Sequence, residues 1–497
     1  MSLFRKKDLA AMLAQSEDGG KGLKRTLGAG NLIALGIGAI IGAGLFVRTA
    51  AAAGQAAGPA VTISFIIAAV GCAFAGLCYA EFAAMIPIAG SAYAYSYVTM
   101  GELVAWIIGW ALIMEYALGA ATVSIAWSEY LNKLTGGAIP YEWSHSPFES
   151  FTDSMGVAHS GIMNAPALII LLALTLLLIK GSQESAIVNA IIVFIKVAIV
   201  IIFIAVGWQF IKPENHTPYL IPAGQAAVTD SAGKVIADYS GAFKHGWGGV
   251  LGGAAIVFFA FIGFDAVSTA AQEAKNPKRD MPIGILGSLV VCTILYILFG
   301  HVLTGVAPRT DFVDPEKGRE ASVAYAISTY MTGYGWLATA VTVAILAGFS
   351  SVILVMLMGQ SRIFYSMSKD GLLPKAFGDL HPKYQTPYKS NWILFVFVGL
   401  FAAFVPGSVA GDLTSFGTLF AFVLVSLGIW ILRRKSPEME RPFKTPLVPL
   451  VPILGAVICL AMIFALDMQT LKVAFIWMIL GLFVYFLYSK KTSKLNN

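Results

Sequence analysis

Charge is scarce in this chain. Of 497 residues only 12% are Asp, Glu, Lys or Arg, against 58% hydrophobic, whereas a water-facing surface carries about 25–35% charged residues. A soluble globular fold is excluded. The residues of enzyme chemistry are equally sparse. The six histidines (His145, His159, His216, His245, His301 and His381) are scattered, mostly in loops, and no H-E-x-x-H or ligand cluster occurs. No catalytic activity, metal or cofactor is expected. The four cysteines, Cys72, Cys78, Cys292 and Cys459, all fall within apolar runs and read as packing residues. The first 28 residues are polar and basic without the apolar core of a signal peptide, so no cleavage is expected. No basic stripe with interleaved aromatics exists, and the net charge of +6 belongs to loops, which argues against a nucleic-acid partner.

What the chain does have is long apolar runs. Such runs are read as membrane helices, because only closed hydrogen-bonding patterns survive in hydrocarbon, and the alternation of a barrel is absent. The expectation is an all-α polytopic membrane protein with about twelve spans, near 30–51, 58–80, 102–130, 164–182, 185–208, 247–270, 281–304, 333–360, 390–406, 411–432, 447–466 and 469–488. With both ends on one side, 23 of the 33 basic residues lie on that side, nine on the other and Lys196 within a span. Cytoplasmic loops are the basic ones. The N- and C-termini are therefore expected in the cytoplasm, with the protein in the cell membrane.

Lys196 is the anomaly. It sits near the middle of residues 186–207 (AIVNAIIVFIKVAIVIIFIAVG), where an ammonium costs about 2.5 to 3.5 kcal/mol on insertion scales. An intramembrane lysine marks an ion or proton pathway, and desolvation eases its loss of a proton. The alternative is a side chain that snorkels to the interface, which works best near helix ends.

Glycine interrupts two spans. Residues 36–44 carry Gly36, Gly38, Gly42 and Gly44, and residues 246–253 are GWGGVLGG, followed by FFAFIGFD at 258–265. The first stretch does not keep the dinucleotide spacing and follows no strand, so a Rossmann reading fails. Small residues also mark tight helix contact. Two interrupted spans five apart, however, are the pointer to a transporter site, since unwound backbone at membrane depth is tolerated where it lines a cavity. An odd number of crossings inverts the second unit. The expected organisation is a segment 1–28, a first repeat 29–210, an inverted second repeat 245–435, an appended helix pair 446–489 suited to peripheral packing or dimer contact, and a tail 490–497.

Three motifs carry a family resemblance: residues 36–46 (GIGAIIGAGLF), 258–282 (FFAFIGFDAVSTAAQEAKNPKRDMP) and 359–374 (GQSRIFYSMSKDGLLP). Together they resemble the amino acid, polyamine and organocation transporter superfamily, and GFD followed by E-x-K-N-P is most similar to its cationic amino acid transporter branch. The resemblance implies a leucine-transporter type fold, a 5+5 inverted repeat plus two helices, with an L-amino acid held between broken helices 1 and 6. The amides of Gly42, Ala43 and Gly44, at the start of a half-helix, suit the carboxylate. The carbonyls of Ile40, Phe259 and Ile262 match the positions that receive the ammonium, and Phe259 matches an aromatic gate, although a plain core phenylalanine is the alternative. The resemblance also places Lys196 where proton-coupled members carry a lysine in place of sodium, with Ser350 and Ser351 where hydroxyls would line the same cavity, although a serine in a membrane helix can instead bond its own backbone.

Two acids remain open. Glu115, mid-span in GWALIMEYALGAA, is either a receiver for a cationic side chain or a buried neutral acid. Asp265 reads best as an N-cap of the second half of span 6. Members of the cationic branch in mammals carry two further spans and an uncharged polar residue in place of Lys196, which leaves small neutral amino acids as candidates beside cationic ones. Proton-coupled symport is the expected function. Exchange is the alternative within that class, and a non-transporting amino acid sensor the alternative outside it, although the loops are too short to hold a signalling domain. Oligomeric state and any small membrane partner are not set by the sequence.

Overall fold

Hydrocarbon offers no partner to a backbone amide or carbonyl, so a crossing segment closes its hydrogen bonds along itself. The computed structural model of the chain describes residues 4–8, 27–42, 44–88, 90–152, 158–180, 182–229, 233, 235–271, 274–313 and 322–496. These are overwhelmingly helical. Two antiparallel hairpins, Ser150–Thr152 with Ala158–Ser160 and Val228–Thr229 with Val235–Ala237, sit in loops.

Among the described residues, eight helical runs are long and apolar enough to cross a membrane and four shorter apolar helices accompany them. The 42-residue run Gly44–Met85 is two spans joined at the turn Gly58–Ala60. Span 1 is therefore Ala29–Ile40 plus residues 44–57, and span 2 is Val61–Met85. Span 3 is Glu102–Leu134, span 4 Ala165–Lys180, span 5 Ser182–Gly207 and span 7 Pro277–Val306. Span 6 comprises Gly246–Val257, a 3₁₀ turn Phe258–Phe261 and Ala266–Thr269. Span 8 is Gly335–Lys369, span 9 Tyr388–Phe404, span 10 Gly407–Lys435, span 11 Leu450–Phe464 and span 12 Met468–Val484.

Span 8 outruns its expected end at 360. Gln360, Ser361 and Arg362 lower the hydropathy there, yet all three are buried by neighbouring helices rather than met by lipid. A linker helix, Ser91–Thr99, was not foreseen because it is short and polar in pattern. Its tyrosines 93, 95 and 97 are all buried. Spans 1 and 2 pack on span 7, and spans 3 and 5 pack on span 8.

Spans 11 and 12 lie at the periphery. Span 11 rests on spans 2 and 10. Span 12 is fixed to span 3 by two indoles: Trp106 Nε1 donates to the Gly481 carbonyl at 2.8 Å and Trp110 Nε1 to the Trp477 carbonyl at 2.8 Å. The Trp110 and Trp477 rings stack 5.0 Å apart.

Segments 4–8 and 485–496 meet on one face, called the terminal face below. Lys7 donates to Asp370 at 2.6 Å, and Tyr93 donates to the same carboxylate at 2.8 Å. The Lys494 amide donates to the Asp370 carbonyl at 3.0 Å. Buried Glu102 accepts from Tyr97, Tyr485 and Ser493 at 3.0, 2.9 and 2.5 Å. Glu81, fully buried at the end of span 2, accepts two bonds from Arg433 at 3.0 and 2.7 Å, a bidentate pair that holds span 10 to span 2.

Candidate substrate and coupling site

Both glycine-interrupted spans are broken, and the breaks meet. Span 1 stops at Ile40, and Ile41 turns to an extended conformation (φ −75°, ψ 106°). Span 6 stops at Phe261, with Ile262 extended (φ −58°, ψ 132°) and Gly263 at φ 113°, where a side chain is strained. A Cβ on Gly263 would also lie 3.0 Å from the Ala39 carbonyl. Across the same contact, a Cβ on Gly44 would lie 2.1 Å from Ala260 Cα. The two backbones touch there.

The exposed carbonyls find donors from three other spans. Lys196 is fully buried, and its Nζ donates to the carbonyls of Gly38 at 2.7 Å and Ile41 at 2.8 Å. Snorkelling is thereby excluded. Ser351 Oγ lies 3.2 Å from the Gly38 carbonyl and 2.6 Å from Asn189 Oδ1. From span 7, Tyr296 Oη reaches the carbonyls of Ile40 at 2.9 Å and Ala260 at 2.8 Å, one hydroxyl bridging both breaks. Tyr296→Phe keeps the ring and deletes that bridge. The expected result is a loss of about 1–3 kcal/mol of stability, the usual consequence of a buried acceptor left unmet, read as a fall in the unfolding temperature of purified protein. An unchanged temperature would show that water replaces the hydroxyl.

Away from the terminal face, Arg48 and Asp412 pair at 2.7 Å between spans 1 and 10. The Arg48 guanidinium stands 5.3 Å from the centroid of the Phe259 ring. A cavity of about 280 Å³ opens above them, lined by Gln55, Glu129, Lys244 and Asp467 among others, at the small end for a small-molecule site. Phe259, Arg48 and Asp412 also line it.

A family model described as amino acid permease matches residues 27–487. The chain belongs to that family. A branched-chain amino acid permease of Bacillus subtilis is 42% identical over 100% of the permease and 99% of the relative. A methylthioribose transporter of the same organism is 40% identical over 100% and 99%. Vacuolar cationic amino acid transporter 4 of Arabidopsis thaliana is 33% identical over 88% of the permease and 68% of its own length. The permease is thus a multi-pass membrane transporter of the amino acid, polyamine and organocation superfamily, and not an enzyme.

Several sequence-based assignments change in detail. Ser350 Oγ donates to the Leu346 carbonyl of its own helix at 2.9 Å, and the neighbouring Ser351 makes the contact to the Gly38 carbonyl that Lys196 also meets. Asp265 is no N-cap. Its backbone is already helical (φ −69°, ψ −26°), it makes no capping bond, and its Oδ2 accepts from Tyr116 at 2.5 Å. Glu115, in a π-helical turn of span 3, is fully buried beside Asp265 and Thr418, with neither oxygen in a hydrogen bond of normal geometry.

Of the amides expected to meet a carboxylate, a Cβ on Gly42 would meet Val352 and one on Gly44 would meet Ala260. Ala43 lies outside the described residues. The Ile40 carbonyl accepts from Tyr296, and the Phe259 carbonyl accepts from the Ile262 amide at 3.3 Å. Each keeps a second lone pair for a ligand. Two histidines that the sequence left scattered also meet: the rings of His216 and His301 lie 4.7 Å apart. Burial, with His301 nearby, holds His216 in its loop below the ordinary imidazole value.

Sequence reading missed Asn189, Tyr296 and the Arg48–Asp412 pair. Asn189 was visible as the one amide in the run holding Lys196, seven residues earlier and so on the same helical face. Tyr296 and Asp412 carried no local signal.

Proposed function

We propose that this permease is a secondary active transporter of L-amino acids, driven by protons, working by alternating access around the breaks in spans 1 and 6. The observation that carries the reading is the buried Lys196 ammonium on the Gly38 and Ile41 carbonyls, where a bound cation would otherwise satisfy the unwound backbone. A protonated Lys196 holds span 1 against spans 5 and 8. Loss of that proton weakens two charge-assisted bonds and frees span 1 to move, so proton and substrate movement are linked.

The substrate meets backbone at Ile40, Gly42, Ala43, Phe259 and Ile262, with Gly44 allowing the two helices to approach. Arg48, Asp412 and Phe259 close the site on the side away from the terminal face. The unbonded oxygens of Glu115 support a role at the side-chain end of the substrate. Spans 1–5 (29–210) and 6–10 (245–435) act as the two inverted units, and 446–489 as the appended pair. The terminal face is cytoplasmic and the membrane is the cell membrane, in keeping with its basic loops. Names of the relatives favour branched-chain and cationic amino acids as first substrates to try. Exchange of internal for external amino acid is the second reading, since the same contacts serve it.

The test is uptake of radiolabelled L-leucine, L-alanine and L-arginine into proteoliposomes under an inward proton gradient. Replacing sodium by choline at a fixed gradient should leave accumulation of the accepted substrate unchanged. Collapse of accumulation on sodium removal would overturn proton coupling, and equal uptake with and without the gradient would favour exchange.

A further inference from the structure

The Gly38 carbonyl has two donors within reach and uses them unequally. Lys196 Nζ lies at 2.7 Å and Ser351 Oγ at 3.2 Å. A serine hydroxyl has one proton to give, and its nearer acceptor is Asn189 Oδ1 at 2.6 Å. With Lys196 in place the hydroxyl therefore serves Asn189, and Gly38 is its second choice. All of this is sealed: Lys196 and Ser351 are 0% exposed and Asn189 4%. A Cβ on Gly38 would come 2.8 Å from Asn189 Nδ2, so the Asn189 amide is packed directly on the span 1 backbone.

Any cycle in which Lys196 withdraws from span 1 leaves that carbonyl buried and unmet, which slows the step by the full penalty of an unmade bond. We infer that Ser351 is the reserve donor to the Gly38 carbonyl, and that Asn189 is a positioning residue which keeps the hydroxyl occupied until Lys196 leaves. The inference rests on the coupling role of Lys196. It assigns span 8 and span 5 distinct parts in one transfer: the hydroxyl rotates from the Asn189 oxygen to the Gly38 oxygen, no covalent bond changes, and the Asn189 amide gives up one accepted bond. Among the described residues the Ile41 carbonyl, the other Lys196 partner, has no such substitute.

Counterflow exchange and proton-driven accumulation, measured in proteoliposomes with the radiolabelled amino acid the wild type accepts, separate this from a plain tie between helices. Ser351→Ala is expected to lower exchange turnover about tenfold, the scale of one unmade buried bond, with KM within about twofold of wild type because no substrate contact is lost. Ser351→Thr restores the hydroxyl and most of the turnover. Asn189→Leu has the opposite sign: the hydroxyl turns to Gly38 permanently, so exchange rises above wild type while accumulation falls. Wild-type turnover in Ser351→Ala, no rescue by threonine, or slowing of exchange by Asn189→Leu would each overturn the inference. Should Ser351→Ala fail to fold, Asn189→Leu with serine intact still decides by the sign of its effect. Full proton-driven accumulation in Lys196→Met alone would instead overturn the coupling reading, a distinct outcome.

Discussion

Lys196→Met is expected to abolish proton-driven accumulation while leaving amino acid binding within about 1.4 kcal/mol, a factor of ten, of wild type. Methionine keeps an unbranched side chain of similar length, so the volume beside Gly348 is retained. The change removes a buried charge, which relieves desolvation. It also removes the donors to Gly38 and Ile41. The backbone positions proposed for the substrate, Ile40, Phe259 and Ile262, are not altered by the substitution. Binding by thermal-shift titration and accumulation in proteoliposomes therefore part company. A methionine variant that still concentrates substrate under a proton gradient would remove Lys196 from the mechanism and move the coupling role to Glu115, which is buried with Asp265 beside the break in span 6.

Gly44→Val is expected to be the most damaging single substitution at the breaks, through structure rather than recognition. Its Cβ would stand 2.1 Å from Ala260 Cα and 2.7 Å from the Ala260 nitrogen. Neither is the far end of a flexible side chain, so spans 1 and 6 must separate. Overpacking of this kind costs on the order of 3 kcal/mol, and the widening would also part the two carbonyls that Tyr296 bridges. The check is thermal unfolding of the purified protein against Gly30→Val, a control in the same span where a Cβ meets nothing within 4 Å. If both variants melt like wild type, the contact at Gly44 is looser than its geometry states.

The helical architecture was legible because hydrocarbon imposes its rule on every crossing segment alike, and glycine pairs five spans apart advertise broken helices from sequence alone. Lys196 was legible for the same reason, since one ammonium in an apolar run has no local excuse. What escaped were relations between distant residues of ordinary type. Whether Ser350 or Ser351 faces span 1 depends on a helical rotation of 100° that periodicity does not fix in a uniformly apolar span. Asp265 fits an N-cap by its position after Gly263, but its partner Tyr116 is 149 residues away. Arg48 counted as one more basic loop residue until Asp412 stood beside it.

The bonds gathered at Glu102 and Asp370 join the linker helix, spans 3, 8 and 12 and the segment 4–8, and leave spans 1 and 6 outside the tie. That corner of the molecule is a surveyor's benchmark. Distances measured by spin labels or fluorophores between it and the first half of span 1 would report the motion proposed for that half, because the bonds at Glu102 and Asp370 include neither span 1 nor span 6.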